Sequence, residues 1–193
     1  MNLLNLPRHL CLTGAVVTLS ALFGCASQAP GYNPNIDNVD ALKRAKTESV
    51  KSVKVSVQPN LPGATTIGIR ADNMHSSVGS NFGDYVADAL KRELELAKLY
   101  DPQSDTEVSG ELLKNDIDAS GFSVGTGTIS ARFVVRRGSQ VRYNSVKTVT
   151  HTWESSFIGA TAIPKARESY TEMVQMLITT LVKDPDFVTA LRK

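Results

Sequence analysis

The most constraining feature of the sequence is a pair of alternating runs joined by a turn. Ile129, Ala131, Phe133 and Val135 alternate with Ser130, Arg132 and Val134. A second run puts Val149, His151, Trp153, Ser155 and Phe157 on one face, with Thr148, Thr150, Thr152 and Glu154 on the other. A period of two is that of a half-buried strand, and Arg137-Gly138-Ser139 supplies a turn between the runs. A hairpin with one apolar face needs a cover, and two segments carry helical stripes that supply it. In the first, Phe82, Val86, Leu90 and Leu94 fall four apart, with Tyr85, Ala89 and Ala97 beside them. In the second, Ala166, Tyr170, Met173, Val174, Leu177 and Leu181 share one face. Helices on one face of a mainly antiparallel sheet bury all three stripes together.

The remaining elements fit the same plan. Val53, Val55 and Val57 alternate up to Pro59, and Thr65 to Arg70 reads as a second short strand after the Pro62-Gly63 turn. Asn73 to Gly79 is polar and reads as a loop. Asn81 or Ser80 starts the first helix, with Asp84 in its first turn, and Asp101-Pro102 stops it. From Glu107 the apolar positions run Val108, Gly110, Leu112, then change phase to Leu113 and Ile117, which predicts a β-bulge. Pro164 suits a first helical position, and Asp184-Pro185 opens a last short helix with Phe187, Val188 and Leu191. The expected fold is α+β: a mainly antiparallel sheet with two amphipathic helices packed on one face, in the order ββ-α-βββ-α-α.

The N-terminus reads differently. After Arg8, no Asp, Glu, Lys or Arg occurs until Asp37, and Leu10 to Phe23 is largely apolar. That is a charged n-region and an h-region of secretory length. The segment that follows, Leu22-Phe23-Gly24-Cys25, resembles the bacterial lipobox. The resemblance implies cleavage after Gly24, a diacylglyceryl thioether on Cys25, and acylation of the new amine by a chain such as palmitate. Ala26 stands where an aspartate would signal retention in the inner membrane, so the resemblance implies an outer-membrane lipoprotein facing the periplasm. Ala26 to about Asn38 has the Ser, Gln, Gly, Asn and Pro composition of a linker, although Asp40 could cap a short helix through Lys46. The chain thus divides into a signal peptide at 1–24, a lipid-anchored tether at 25–48 and a single periplasmic domain at 49–193.

Little in the domain points to reaction chemistry. The formal charge of +2 offers no clustered basic face for nucleic acid. Cys11 leaves with the signal and Cys25 is blocked, so no cysteine remains for a zinc site. His75 lies in a loop, and His151 reads as a packed side chain beside Trp153, so no metal is expected. The Gly121 to Gly127 segment lacks the lysine and helix start of a phosphate cradle and reads as a hairpin loop. No Gly-x-Ser-x-Gly elbow occurs, and the acidic residues fall on solvated surfaces. No catalytic residue and no cofactor beyond the covalent lipid is expected.

The order of elements behind a lipobox resembles small Gram-negative outer-membrane lipoproteins, in particular the YajG-like group. The resemblance rests on the Phe82 to Leu94 helix, the Val108-Ser109-Gly110 strand, the 129–157 hairpin and the Asp184-Pro185-Asp186-Phe187 ending. It implies a location and a fold, not an activity. The function expected is that of a non-enzymatic, membrane-anchored accessory protein that positions an envelope partner. Its candidate partner surface is Arg132, Arg136, Arg137 and Arg142 with Gly121, Gly125 and Gly127, although the arginines could equally be solvated charges guarding a sheet edge. The alternative is a lipid or glycolipid carrier with a cavity between helices and sheet, lined by Phe82, Val86, Phe133, Trp153 and Tyr170.

Overall fold

The computed structural model describes residues 25–192; the signal segment and most of the lipobox lie outside the described residues. In chain order the elements are β1 (Cys25–Gln28), α1 (Ile36–Ala45), β2 (Ser52–Val57), β3 (Thr66–Ile69), β4 (Asp72–His75), α2 (Phe82–Leu96), β5 (Thr106–Asp118), β6 (Val124–Arg137), β7 (Gln140–Glu154), α3 (Gly159–Val182) and α4 (Pro185–Ala190). The fold is α+β, as the stripes require.

Two sheets form: β2-β5-β6-β7 and a small β1-β4-β3. Both are mixed, because β2 runs parallel to β5 and β1 parallel to β4. The long β5-β6-β7 meander is antiparallel, with the expected register shift between Leu112 and Lys114. Val108, Leu112, Ile129, Ala131, Phe133 and Val135 line its covered face. Against it lie α2 and α3. Phe82 meets the Tyr170 ring edge-on at 4.9 Å, and Tyr85 lies 5.6 Å from the same ring. Gly83 lets α2 press onto β2, since a Cβ there would sit 2.5 Å from the Val55 carbonyl oxygen. Its N-cap is Asn81, whose side chain accepts from the Asp84 N–H.

Three segments depart from the sequence expectation. Asn73 to His75, expected as loop, pairs with β3 as strand β4 and buries Met74. The helix expected to begin at Pro164 starts at Gly159, so that Pro164 lies inside α3. The tether expected over 25–48 is folded onto the body: Ala29, Tyr32, Val39 and Leu42 are buried, and α1 packs on α2 and α3. Its cap is Asn35, not Asp40. Among the described residues the folded body therefore extends up to Cys25, and no helix among them is long and apolar enough to cross a membrane.

Candidate functional site

The end of the molecule that carries Cys25 is built around Arg70. This residue sits in the turn between β3 and β4 at φ 55°, a left-handed conformation uncommon for a side-chain-bearing residue. Its guanidinium donates to four backbone carbonyls: Ala119 at 2.7 Å, Gly121 at 2.9 Å, Ser156 at 2.6 Å and Phe157 at 2.8 Å. The planar fork of an arginine suits this divergent set. It ties the loop after β5 to the loop after β7, and holds the Phe122 and Phe157 rings in parallel stack, 5.3 Å apart at 8°. Both rings are open to solvent, at 74% and 73% exposure, with Ile158 beside Phe157 at 63%. Phe157 was expected on the apolar face of the hairpin; β7 ends at Glu154, so the alternation lapses before reaching it. Cys25 opens β1 opposite Asp72, two residues beyond Arg70.

The candidate partner residues do not form one patch. Arg132 and Arg136 are exposed on β6, with Arg132 donating to Asn144 at 3.2 Å. Arg137 is turned to Thr106 and Asp105, and Arg142, opposite the register shift of β6 and β7, donates to the Arg192 carbonyl. The glycine segment is likewise not an open loop. Gly125 and Gly127 are buried strand residues, because Trp153 lies over the first and Met173 over the second; a Cβ at 125 would sit 2.4 Å from the indole. Gly121 remains in the loop as a carbonyl acceptor for Arg70. What remains exposed is the Arg132 and Arg136 face with the long edge strand β7, whose free edge can accept another strand.

Two polar clusters, the first buried and the second part-buried, clamp the chain ends. Glu93 on α2 is fully buried, and its Oε1 accepts from the Tyr32 hydroxyl, the Asn35 N–H and the Asn38 amide, while its Oε2 has no partner. Burial raises its pKa, outweighing the three donors. At the other end, Asp184 caps α4 and accepts from Lys147 and from the Tyr143 hydroxyl at 2.8 Å. The Lys147 ammonium bond is the main cause of an Asp184 pKa lowered to about 2. A depressed carboxyl pKa contributes stability that is present above the unfolded value near 3.8 and lost as pH falls toward 2. Asp184→Asn should therefore destabilise the protein at pH 7 by about 1 kcal/mol and flatten its acid limb between pH 4 and 2, as read from urea midpoints across that range.

His151 donates from Nε2 to the Glu172 carboxylate at 3.0 Å and stacks on Trp153. Among the described residues no group of three or more His, Cys, Asp and Glu side chains converges. The five residues expected to line a carrier cavity instead pack together as core. A cleft of about 500 Å³ opens elsewhere, between β3 and the second half of β5, lined by Leu61, Ile67, Leu113 and Ile117 among others.

The sequence matches no protein-family model and no curated protein. Among solved structures, the chain is similar to a Xanthomonas campestris protein of the DUF330 family, at 15% identity and TM-score 0.54, covering 85% of this chain and 96% of that one. It is also similar to a minor lipoprotein of Acinetobacter baumannii, at 10% identity and TM-score 0.41, over 76% of this chain and 97% of that one. Rare lipoprotein B of Shewanella oneidensis follows at 11% identity and TM-score 0.35, over 67% and 86%. The likeness to the Xanthomonas protein is one of fold.

Proposed function

We propose that this chain is a lipid-anchored accessory protein of the bacterial outer membrane, facing the periplasm and positioning an envelope partner without catalysis. The observation that carries the reading is the placement of Cys25. The residue that the lipobox resemblance marks for acylation is the first of β1, directly against the folded body. Several acyl chains at that point, each buried CH₂ worth about 0.8 kcal/mol, hold the domain at the bilayer surface. The partner surface is the exposed Arg132 and Arg136 face with the β7 edge, where a partner strand can add to the sheet.

The test uses photocrosslinking probes at Arg136 and Val146 in intact cells, beside a Cys25→Ala chain. We expect the parent in the outer-membrane fraction with one envelope protein captured at the probes. The Cys25→Ala chain should move to the soluble fraction and lose that adduct. Undiminished membrane retention of a Cys25→Ala chain whose intact mass shows residues 1–24 removed overturns the anchor. The cleft beside β3 and β5 favours the carrier as second reading, since its volume suits a small ligand. Lipid or glycan adducts alone would select it.

A further inference from the structure

We infer that the stacked Phe122 and Phe157 rings, with Ile158, form a membrane-contact surface that enters the lipid interface beside Cys25 and fixes the orientation of the domain on the bilayer. The inference deepens the anchored reading and rests on it for the identity of the group at Cys25, but the surface is defined by geometry of its own. Single exposed apolar side chains are ordinary on a folded protein. Three contiguous large ones, two of them about three-quarters exposed and stacked on each other, make a patch of the kind that meets a partner or a membrane.

Three observations choose a lipid surface as the occupant. The first is where the chain leaves the described body. Cys25 stands one strand spacing from Asp72, itself two residues from Arg70, which puts the Cys25 and Arg70 backbones at most about 12 Å apart. Before Cys25 run 24 residues that include the apolar stretch from Leu10 to Phe23. Whether acyl chains or that stretch are joined there, the membrane-seeking group emerges at the aromatic end. The second is the absence of slack: the residues that follow Cys25 are strand β1 and then buried Ala29 and Tyr32. The third is the backbone. Arg70 already satisfies four carbonyls of the two loops that carry the rings, groups that would otherwise need water on entering the interface. The groove beside the loop that carries Phe157 has mixed charge, with Lys165 among Glu154 and Glu168, so the contact is apolar insertion rather than headgroup attraction. In this orientation the β6–β7 turn lies roughly 40 Å along the strands from the membrane end.

The test uses the full chain in vesicles of phosphatidylethanolamine and phosphatidylglycerol with brominated acyl chains. Phe122→Trp places a reporter in the patch, where high exposure spares repacking, and Val141→Trp places one beside the distant turn. Trp153, buried in both, is a constant background. We expect the Phe122→Trp signal to be quenched about twofold, Val141→Trp to be unchanged, and the contrast to survive high salt, which screens charge but not insertion. Equal quenching at both positions, or none at position 122, overturns the surface; so does a protein adduct from a probe at position 122 in cells without quenching in vesicles. The intact mass of the same sample separates the two readings. Lipid mass on Cys25 without quenching removes the surface and leaves the anchor. Quenching without lipid mass removes the acyl anchor and leaves the surface.

Discussion

Glu93→Leu should lower stability by about 3 kcal/mol or more, whereas Glu93→Gln should stay within about 1 kcal/mol of the parent at pH 7. Leucine fits the volume of the fully buried site but leaves the Tyr32 hydroxyl, the Asn35 N–H and the Asn38 amide without their shared acceptor. Glutamine keeps an acceptor and removes the cost of a buried charge. The pH dependence of the parent carries the sign. With the folded pKa of Glu93 raised, its contribution to stability is fully present below the unfolded value near 4.5 and is lost as pH rises through the folded pKa. This opposes Asp184, whose contribution disappears toward pH 2. Denaturant midpoints from pH 8 to 4 should therefore fall with rising pH more steeply in the parent than in Glu93→Gln; equal slopes would show that folding does not shift the Glu93 pKa. The Leu variant should also free residues 32–38 from α2, read as faster hydrogen exchange confined at first to that segment.

Phe82→Ala should cost about 3–5 kcal/mol, because the ring is fully buried between Tyr85 and Tyr170 and its loss leaves a void the neighbouring rings cannot close. The same void tests the carrier alternative. An apolar cavity of ring size stays dry and takes up small aromatic ligands, so benzene should raise the melting temperature of Phe82→Ala and leave the parent unchanged. A parent stabilised to the same degree would mean that the space between helices and sheet is not filled as described.

The fold was legible where a stripe is long enough to repeat. The α2 and α3 faces and the β6–β7 hairpin each carry four or more periodic apolar residues, and the phase slip at Leu112 and Leu113 located the bulge. Of the four-residue strands, β3 was legible after its Pro62-Gly63 turn, but β1 and β4 were not. β4 has one buried hydrophobe, Met74, among polar neighbours, and β1 is four residues inside a stretch of linker composition. Alternation also names no partner, so the parallel pairing of β2 with β5 was hidden in a strand correctly found. The site was less legible than the fold. Cys25 was singled out only by the resemblance of the residues before it to a lipobox, and Arg132 and Arg136 lie exposed on β6. Nothing local distinguishes Arg70 from other turn arginines: its four acceptors lie 49 to 87 residues downstream. The buried glycines misled for a related reason, since Trp153 and Met173 cover them from elements elsewhere in the chain.

The seat of the N-terminal segment also sets an order in time. Ser27 bonds to Asp72, 45 residues on; Arg167 reaches the Gln28 carbonyl across 139 residues, and Gln175 the Asn33 carbonyl across 142. Contacts of such separation form late, after the intervening chain has been made and closed. On the anchored reading proposed above, an enzyme that cuts or acylates the chain at Cys25 would have to reach it before those contacts close. Once α3 has docked, residue 25 is the end of a paired strand. A chain that folded first would, on that reading, hide the bond to be cut.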